Sequence, residues 1–215
     1  MGRKQRQADQ GSTEQAIMSA AEELFLENGY NLTTTTMIAG KAGVTHAMLH
    51  YYFRTKEHIF IKVLDKNMEE LLASFQPVMK KDAPFWDTLE SGIATHFDFL
   101  MKHPGLPAFI FDTVRFNPEL MENYRERIRG SLEKIMGFHY KMIQKEMDAG
   151  RIRRTDPLQL ILDVITLNLS SFMLLQAARK LFPGMKSGAD TRILADRKKE
   201  IITLIKSRLY GNDMD

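Results

Sequence analysis

The chain contains no cysteine, which excludes disulfides, thiolate nucleophiles and cysteine-rich zinc sites. A reducing compartment, the cytoplasm, is compatible with that composition. Long apolar runs are missing as well, since none approaches the ~20 continuous apolar residues of a membrane span. The richest stretch, residues 158–175, is interrupted by Gln159, Asp163, Asn168 and two serines, and reads as a helix buried in protein. Arg3, Lys4 and Arg6 have no apolar segment behind them, so no secretory signal is expected. Alternating apolar and polar residues bounded by hairpin turns are not found, so no strand is predicted. Catalytic signatures are absent too: no GxSxG, no P-loop, and no GxGxxG following a strand. No pair of carboxylates declares itself, and nothing sets a serine, threonine or lysine beside a base. No enzyme, no catalytic residue and no cofactor is expected.

The 215 residues suffice for one large domain, or for a small domain plus a medium one. A net charge of +3 leans mildly basic, which many enzymes share and which identifies no partner by itself. The apolar pattern is helical nearly throughout and predicts an all-α fold of about nine helices. Residues 1–11 (MGRKQRQADQG) lack apolar periodicity and are expected to form a disordered basic arm. Ser12 or Thr13 would cap a first helix whose Ile17, Ala20, Ala21, Leu24 and Phe25 make one apolar face. Asn28-Gly29 would end it. Two short helices follow at about 34–42 and 45–52, and a long one at about 56–75 that Pro77 closes. Five more are punctuated by Asp82-Ala83-Pro84, His103-Pro104-Gly105, Asn117-Pro118-Glu119, Ala149-Gly150, Thr155-Asp156-Pro157 and Phe182-Pro183-Gly184. The last of them spans about 190–210.

The informative segment is TTTTMIAGKAGVTHAMLHYYFRTKEHIF, residues 33–60. Ile38 and Ala39 supply a small apolar contact on the first short helix, and Ala42-Gly43 allow a close turn. Val44 fills the space between the helices, and Thr45 can cap the second. Two helices joined by a short glycine-containing turn make a helix-turn-helix, here residues 34–53. So small a unit is not stable alone, and the helices on either side must cover its back.

These residues, from AEELFLENGYNLTT through IAGKAGV and LHYYF to RTKEHIF, resemble the TetR family of transcriptional regulators. The resemblance covers about 50 consecutive residues; the rest matches in architecture only. It implies an N-terminal three-helix DNA-binding domain at residues 11–71 and a C-terminal helical ligand-binding and dimerisation domain at residues 72–215. It implies that Thr33 and Thr34 meet a phosphate at the start of the second helix, where free N–H groups suit an anion. Thr45, His46, Ala47 and Met48 would open the recognition helix, with His50 and Tyr51 one turn later and Lys56 on a phosphate. The family usually has tyrosine where this chain has His50; an imidazole can still donate to phosphate.

Other readings accompany these. His46 and His50 share a helix face as an HxxxH pair, yet no third ligand is set by the sequence and no metal is expected. Arg3, Lys4 and Arg6 could follow a minor groove or stay solvated. Large side chains in the middle of the chain are core candidates first. Of these, Phe97, Met101, Phe109, Phe116, Tyr124, Phe138, Met142 and Phe172 are the candidates to line a cavity for a small apolar effector. His96, His103 and His139 are candidate polar fixtures of such a cavity. The helix after Pro157 is apolar on more than one face and needs a partner as cover. The resemblance places a four-helix dimer interface on the last two helices, with Leu167, Leu174, Leu175, Ile201, Leu204 and Ile205 as candidates. The expected protein is a cytoplasmic homodimer that binds a palindromic double-stranded operator, represses, and is released by an apolar effector; no membrane partner is expected. A DNA-binding adaptor without ligand control, or an all-helical enzyme, are the alternatives.

Overall fold

The computed structural model describes residues 2–80, 82–182 and 188–211, and among them every regular element is an α-helix. In chain order these are α1 (Gly2–Leu32), α2 (Thr35–Ala42), α3 (His46–Tyr52), α4 (Lys56–Lys80) and α5 (Phe85–Lys102). They continue with α6 (Leu106–Phe116), α7 (Pro118–Asp148), α8 (Pro157–Leu181) and α9 (Gly188–Tyr210). Gly29 interrupts α1 at φ 76°, ψ 172°, a region that only glycine enters freely. The helix therefore ends where Asn28-Gly29 predicts, and one further turn leads to α2.

The chain divides into two compact units, Met1–Glu70 with Ala108–Arg127, and Leu71–Pro107 with Ile128–Asp215. Within the first, Ile17, Ala21, Phe25, Ile38, Leu49, Phe53, Ile59 and Phe60 are buried together. Phe25 stacks on Phe109 at 5.9 Å between ring centroids, and Phe60 meets Phe109 edge-on at 5.6 Å. Each such pair adds about 0.5–1.5 kcal/mol beyond the area it buries. Arg127 also pairs with Asp65 of α4 at 2.6 Å. These contacts draw residues 108–127 into the first unit, where the sequence placed them in the C-terminal domain.

The second unit packs α5, α8 and α9 against one another. Asp156 caps α8 by accepting from the Leu158 and Gln159 N–H groups, with Pro157 at the first helical position as expected. Phe97 of α5 packs against Phe172 of α8 at 5.0 Å. Asp98 pairs with Lys198 at 2.7 Å, and Asp163 with Arg208. By length and composition the Pro157–Arg179 stretch of α8 would suffice to cross a membrane, and only a minority of its residues are buried. Its polar interruptions serve protein contacts, with Asn168 bonded to α5 and Asp163 to α9.

Two boundaries differ from the expectations. α1 is helical from Gly2, where a disordered arm was expected; residues 3–10 are mostly Arg, Lys, Gln and Ala, all good helix formers. The side chains of Arg3, Lys4 and Arg6 lie outside the described residues, as do Pro183 and Gly184. α4 runs through Pro77 instead of stopping before it. An interior proline costs about 3 kcal/mol, and burying Phe75 and Val78 on either side offsets it at roughly 1.5–3 kcal/mol each.

A Cβ built on Gly29 would meet nothing within 4 Å, so Gly29→Ala adds backbone strain without a clash. The expected cost is about 1–3 kcal/mol, read as a lower urea midpoint with unchanged slope. A midpoint equal to that of the parent would show that the break relaxes freely.

Candidate DNA-binding surface and apolar cavity

Threonines cap three successive helices in the first unit. The Thr34 hydroxyl accepts from the Met37 N–H (3.1 Å), Thr45 from Met48 (3.2 Å) and Thr55 from His58 (3.0 Å). α2 stops at Gly43, left-handed at φ 68°, whose N–H bonds to Gly40 O while that of Val44 bonds to Ala39 O. That is the double bond of a Schellman turn, and it leaves only Val44 before Thr45, the cap of α3. Leu49 and Phe53 anchor α3 in the core, so His46, Ala47, His50 and Tyr51 face solvent, with Tyr51 74% exposed. The Thr35 hydroxyl lies 3.1 Å from Nε2 of His46, tying the start of α2 to the start of α3. Between Glu27 and Glu57 the chain has no acidic residue, so no carboxylate from this segment opposes a polyanion on that face. This signal is legible in the sequence alone.

The turn joining α1 to α2 is held from inside. Thr33 is fully buried, and its hydroxyl donates towards the carbonyls of Leu24 (3.0 Å) and Gly29 (2.8 Å). The Lys56 ammonium donates to the carbonyls of Tyr30 (2.9 Å) and Thr33 (3.0 Å) and lies 4.1 Å from the Tyr30 ring centroid. Burial holds this ammonium below the ordinary lysine value.

The second unit contains a cavity of about 300 Å³ bounded by α4, α5, α7 and α8. Leu71 and Phe75, Leu89 and Ile93, Ile135 and Ile143, and Leu160 and Val164 line it, with His96 and His139 as polar exceptions. Burial drives the pKa of His96 down to about 4 and lowers that of His139, so both rings are neutral. A donor from Asn168 Nδ2 reaches His96 Nδ1 at 3.1 Å, and the same amide donates to Ile93 O at 3.2 Å.

Residues 17–63 match the family described as bacterial regulatory proteins, tetR family. A fatty acid metabolism regulator protein of Bacillus subtilis is 25% identical over 194 residues, 90% of each chain. The regulator QacR of Staphylococcus aureus is 41% identical over 66 residues, 31% of this chain and 33% of its own. The chain is a TetR-family transcriptional regulator. A solved structure of the regulator FadR from Bacillus subtilis, in complex with stearoyl-CoA, shares the fold at a TM-score of 0.66 and 20% identity, covering 91% and 99% of the two chains.

The regulator's surface presents Thr34, Thr45, His46, Ala47, Met48, His50 and Tyr51, all exposed. Thr34 and Thr45 spend their hydroxyls on capping one N–H each, and the other first-turn N–H groups have no partner within their helix. Two members of the expected set do otherwise. Thr33 is buried and Lys56 commits two of its three donors to carbonyls, so both build the turn that places α2. His50 approaches the Arg54 carbonyl with Nδ1 at 3.2 Å, and the rings of His46 and His50 lie 4.3 Å apart.

None of the eight residues expected to line a cavity for an effector lines this one. Phe97 and Phe172 pack on each other in the core, and Phe109 and Tyr124 belong to the first unit's core. Met101 and Phe116 are exposed, while Phe138 and Met142 are half-buried away from the cavity. Bulky side chains fill space; the opening forms beside smaller aliphatics and Gly92. Of the three candidate histidines, His96 and His139 line it. On α8 and α9, Ile201 and Ile205 are buried within the chain at 0% and 2% exposure and are not available to a partner. Leu174 and Leu204 are exposed, and Leu158, Leu162 and Ile193 join them outside the expected set.

Lys56→Met removes two charge-assisted bonds and is expected to lower stability by about 2 kcal/mol. The slope of operator affinity against salt should stay unchanged. A slope reduced by about 1 would instead reveal a phosphate contact.

His96 gives a pH dependence of defined sign. Its ordinary value is 6.5 and its folded value about 4, so between these the unfolded chain binds the extra proton. Stability is complete above 6.5 and falls towards 4, at up to about 1.4 kcal/mol per pH unit. His96→Gln should flatten this part of the pH profile of thermal unfolding; an unchanged profile would assign it to other groups.

Proposed function

We propose that this regulator binds a palindromic operator as a homodimer, in the cytoplasm, as a repressor released when a fatty acyl effector fills the α5–α8 cavity. The observation that carries the reading is the cavity itself, almost wholly aliphatic and without a charged side chain in its lining. A relative alike over nine-tenths of its length is named for fatty acid metabolism, and a protein of the same fold was solved with stearoyl-CoA. Both names describe those proteins, and they support the choice of ligand class. Leu71 and Phe75 of the lining stand on α4, whose first half carries Lys56 and Ile59 of the reader. A ligand that bound one setting of α4 better than another would shift DNA affinity by that difference. The exposed leucines of α8 and α9 supply the face for a second copy.

Fluorescence anisotropy on the DNA upstream of the gene, across a salt series, tests the reading. Palindrome-dependent binding should fall with salt at a slope of roughly −0.9 per phosphate neutralised, and Tyr51→Ala should weaken it about tenfold without changing the unfolding temperature. Stearoyl-CoA should release the complex where free coenzyme A does not. Operator binding indifferent to every acyl-CoA would favour the regulator without ligand control.

A further inference from the structure

Two histidines line the cavity, and their hydrogen bonds set them apart. His139 on α7 has Nδ1 2.9 Å from the Ile135 carbonyl. A carbonyl only accepts, so the proton is on Nδ1 and Nε2 is a bare lone pair. That Nε2 is buried without a partner, and a Cβ added on Gly92 would lie 2.6 Å from it. The backbone of α5 covers it, and a ligand in the cavity does not reach it.

His96, one helical turn beyond Gly92 on α5, is arranged the other way. The amide nitrogen of Asn168 on α8 donates to the Ile93 carbonyl at 3.2 Å and to His96 Nδ1 at 3.1 Å. Turning the amide over would set its oxygen against that carbonyl, so the nitrogen stays and Nδ1 accepts. The His96 proton is therefore on Nε2. Burial lowers the pKa of the ring and keeps it neutral. Its Nε2 has no hydrogen-bond partner among the described residues and, unlike that of His139, keeps accessible surface. No other side chain of the lining has a free N–H or O–H to give, since the His139 proton is spent on Ile135 and the rest are apolar. An alkyl chain alone would leave the His96 N–H without an acceptor in an apolar site, and a neutral carbonyl would supply one.

We propose, resting on the effector reading above, that His96 is the residue that recognises the acyl group by its carbonyl. Its Nε2–H donates to the thioester oxygen of an acyl-CoA, while Ile93, Leu89, Val164 and Leu160 take up the chain. The aliphatic wall then supplies affinity without discrimination, and the single donor distinguishes an acyl chain from an alkyl one.

Calorimetric titration of the full chain at neutral pH tests this with stearoyl-CoA and S-octadecyl-CoA, the thioether with two hydrogens in place of the carbonyl oxygen. The thioester should bind about tenfold tighter, the equivalent of one hydrogen bond. In His96→Phe the two should bind alike, with the thioether's affinity retained. The wild-type protein gives a second readout that needs no variant. The infrared carbonyl band of stearoyl-CoA labelled with ¹³C at the thioester should lie lower when bound than that of a simple labelled thioester in hexane, because a hydrogen bond weakens the C=O bond. Equal binding of thioester and thioether, a ratio that survives in His96→Phe, or an unshifted band would overturn the proposal and leave the acyl cavity standing. If neither compound binds, the effector reading falls, and the proposal with it.

Discussion

At the C-terminal end of α1, carbonyl groups that the helix can no longer satisfy are taken up by two side chains from elsewhere. The Thr33 hydroxyl takes those of Leu24 and Gly29, and the Lys56 ammonium takes those of Tyr30 and Thr33. Buried carbonyls need partners, so this knot determines where the chain leaves α1 and hence where Thr34 starts α2. The Schellman turn at Gly43 then leaves no slack before Thr45 starts α3. The exposed row His46, Ala47, His50 and Tyr51 inherits its position from that sequence of caps. Thr33 and Lys56, which the resemblance reads as phosphate contacts, spend these hydrogen bonds within the chain on the turn that leads into α2.

The second unit rests on the opposite arrangement. Its cavity is held open by apolar walls, and the polar groups at its edge are neutral because burial makes charge costly there. α8 contributes Leu160 and Val164 to the lining and Asn168 to a hydrogen bond with His96, and its Leu174 and Leu162 are exposed.

Much of the reader was legible because its signals are local. Threonine before a helix, glycine where φ must be positive, and Leu49 and Phe53 four residues apart need no knowledge of distant chain. Pro77 misled for the same reason. Its local cost is real, and only the burial of Phe75 and Val78 shows that it is outweighed. The cavity was misplaced because size is a local property of a side chain while vacancy belongs to a packing arrangement. Phe97 and Phe172 fill space together, and Gly92 beside His139 leaves it. The interior glycine of α5 was the one sequence signal that pointed to a close approach.

The sequence by itself determined an all-helical chain, a helix-turn-helix at its N-terminal end, the caps that delimit its short helices, and the family. All of these follow from spacing along the chain, where helical period and cap chemistry act within a few residues. Tertiary structure alone decided which hydroxyl and which ammonium are spent on carbonyls, and that residues 108–127 join the first unit. It also decided that Ile201 and Ile205 face inward while Leu204 faces out, and which nitrogen of His139 is bare. Each of these depends on what lies across a packed interface, and burial, not residue type, sets whether a polar group is a contact, a lock or an unmet demand.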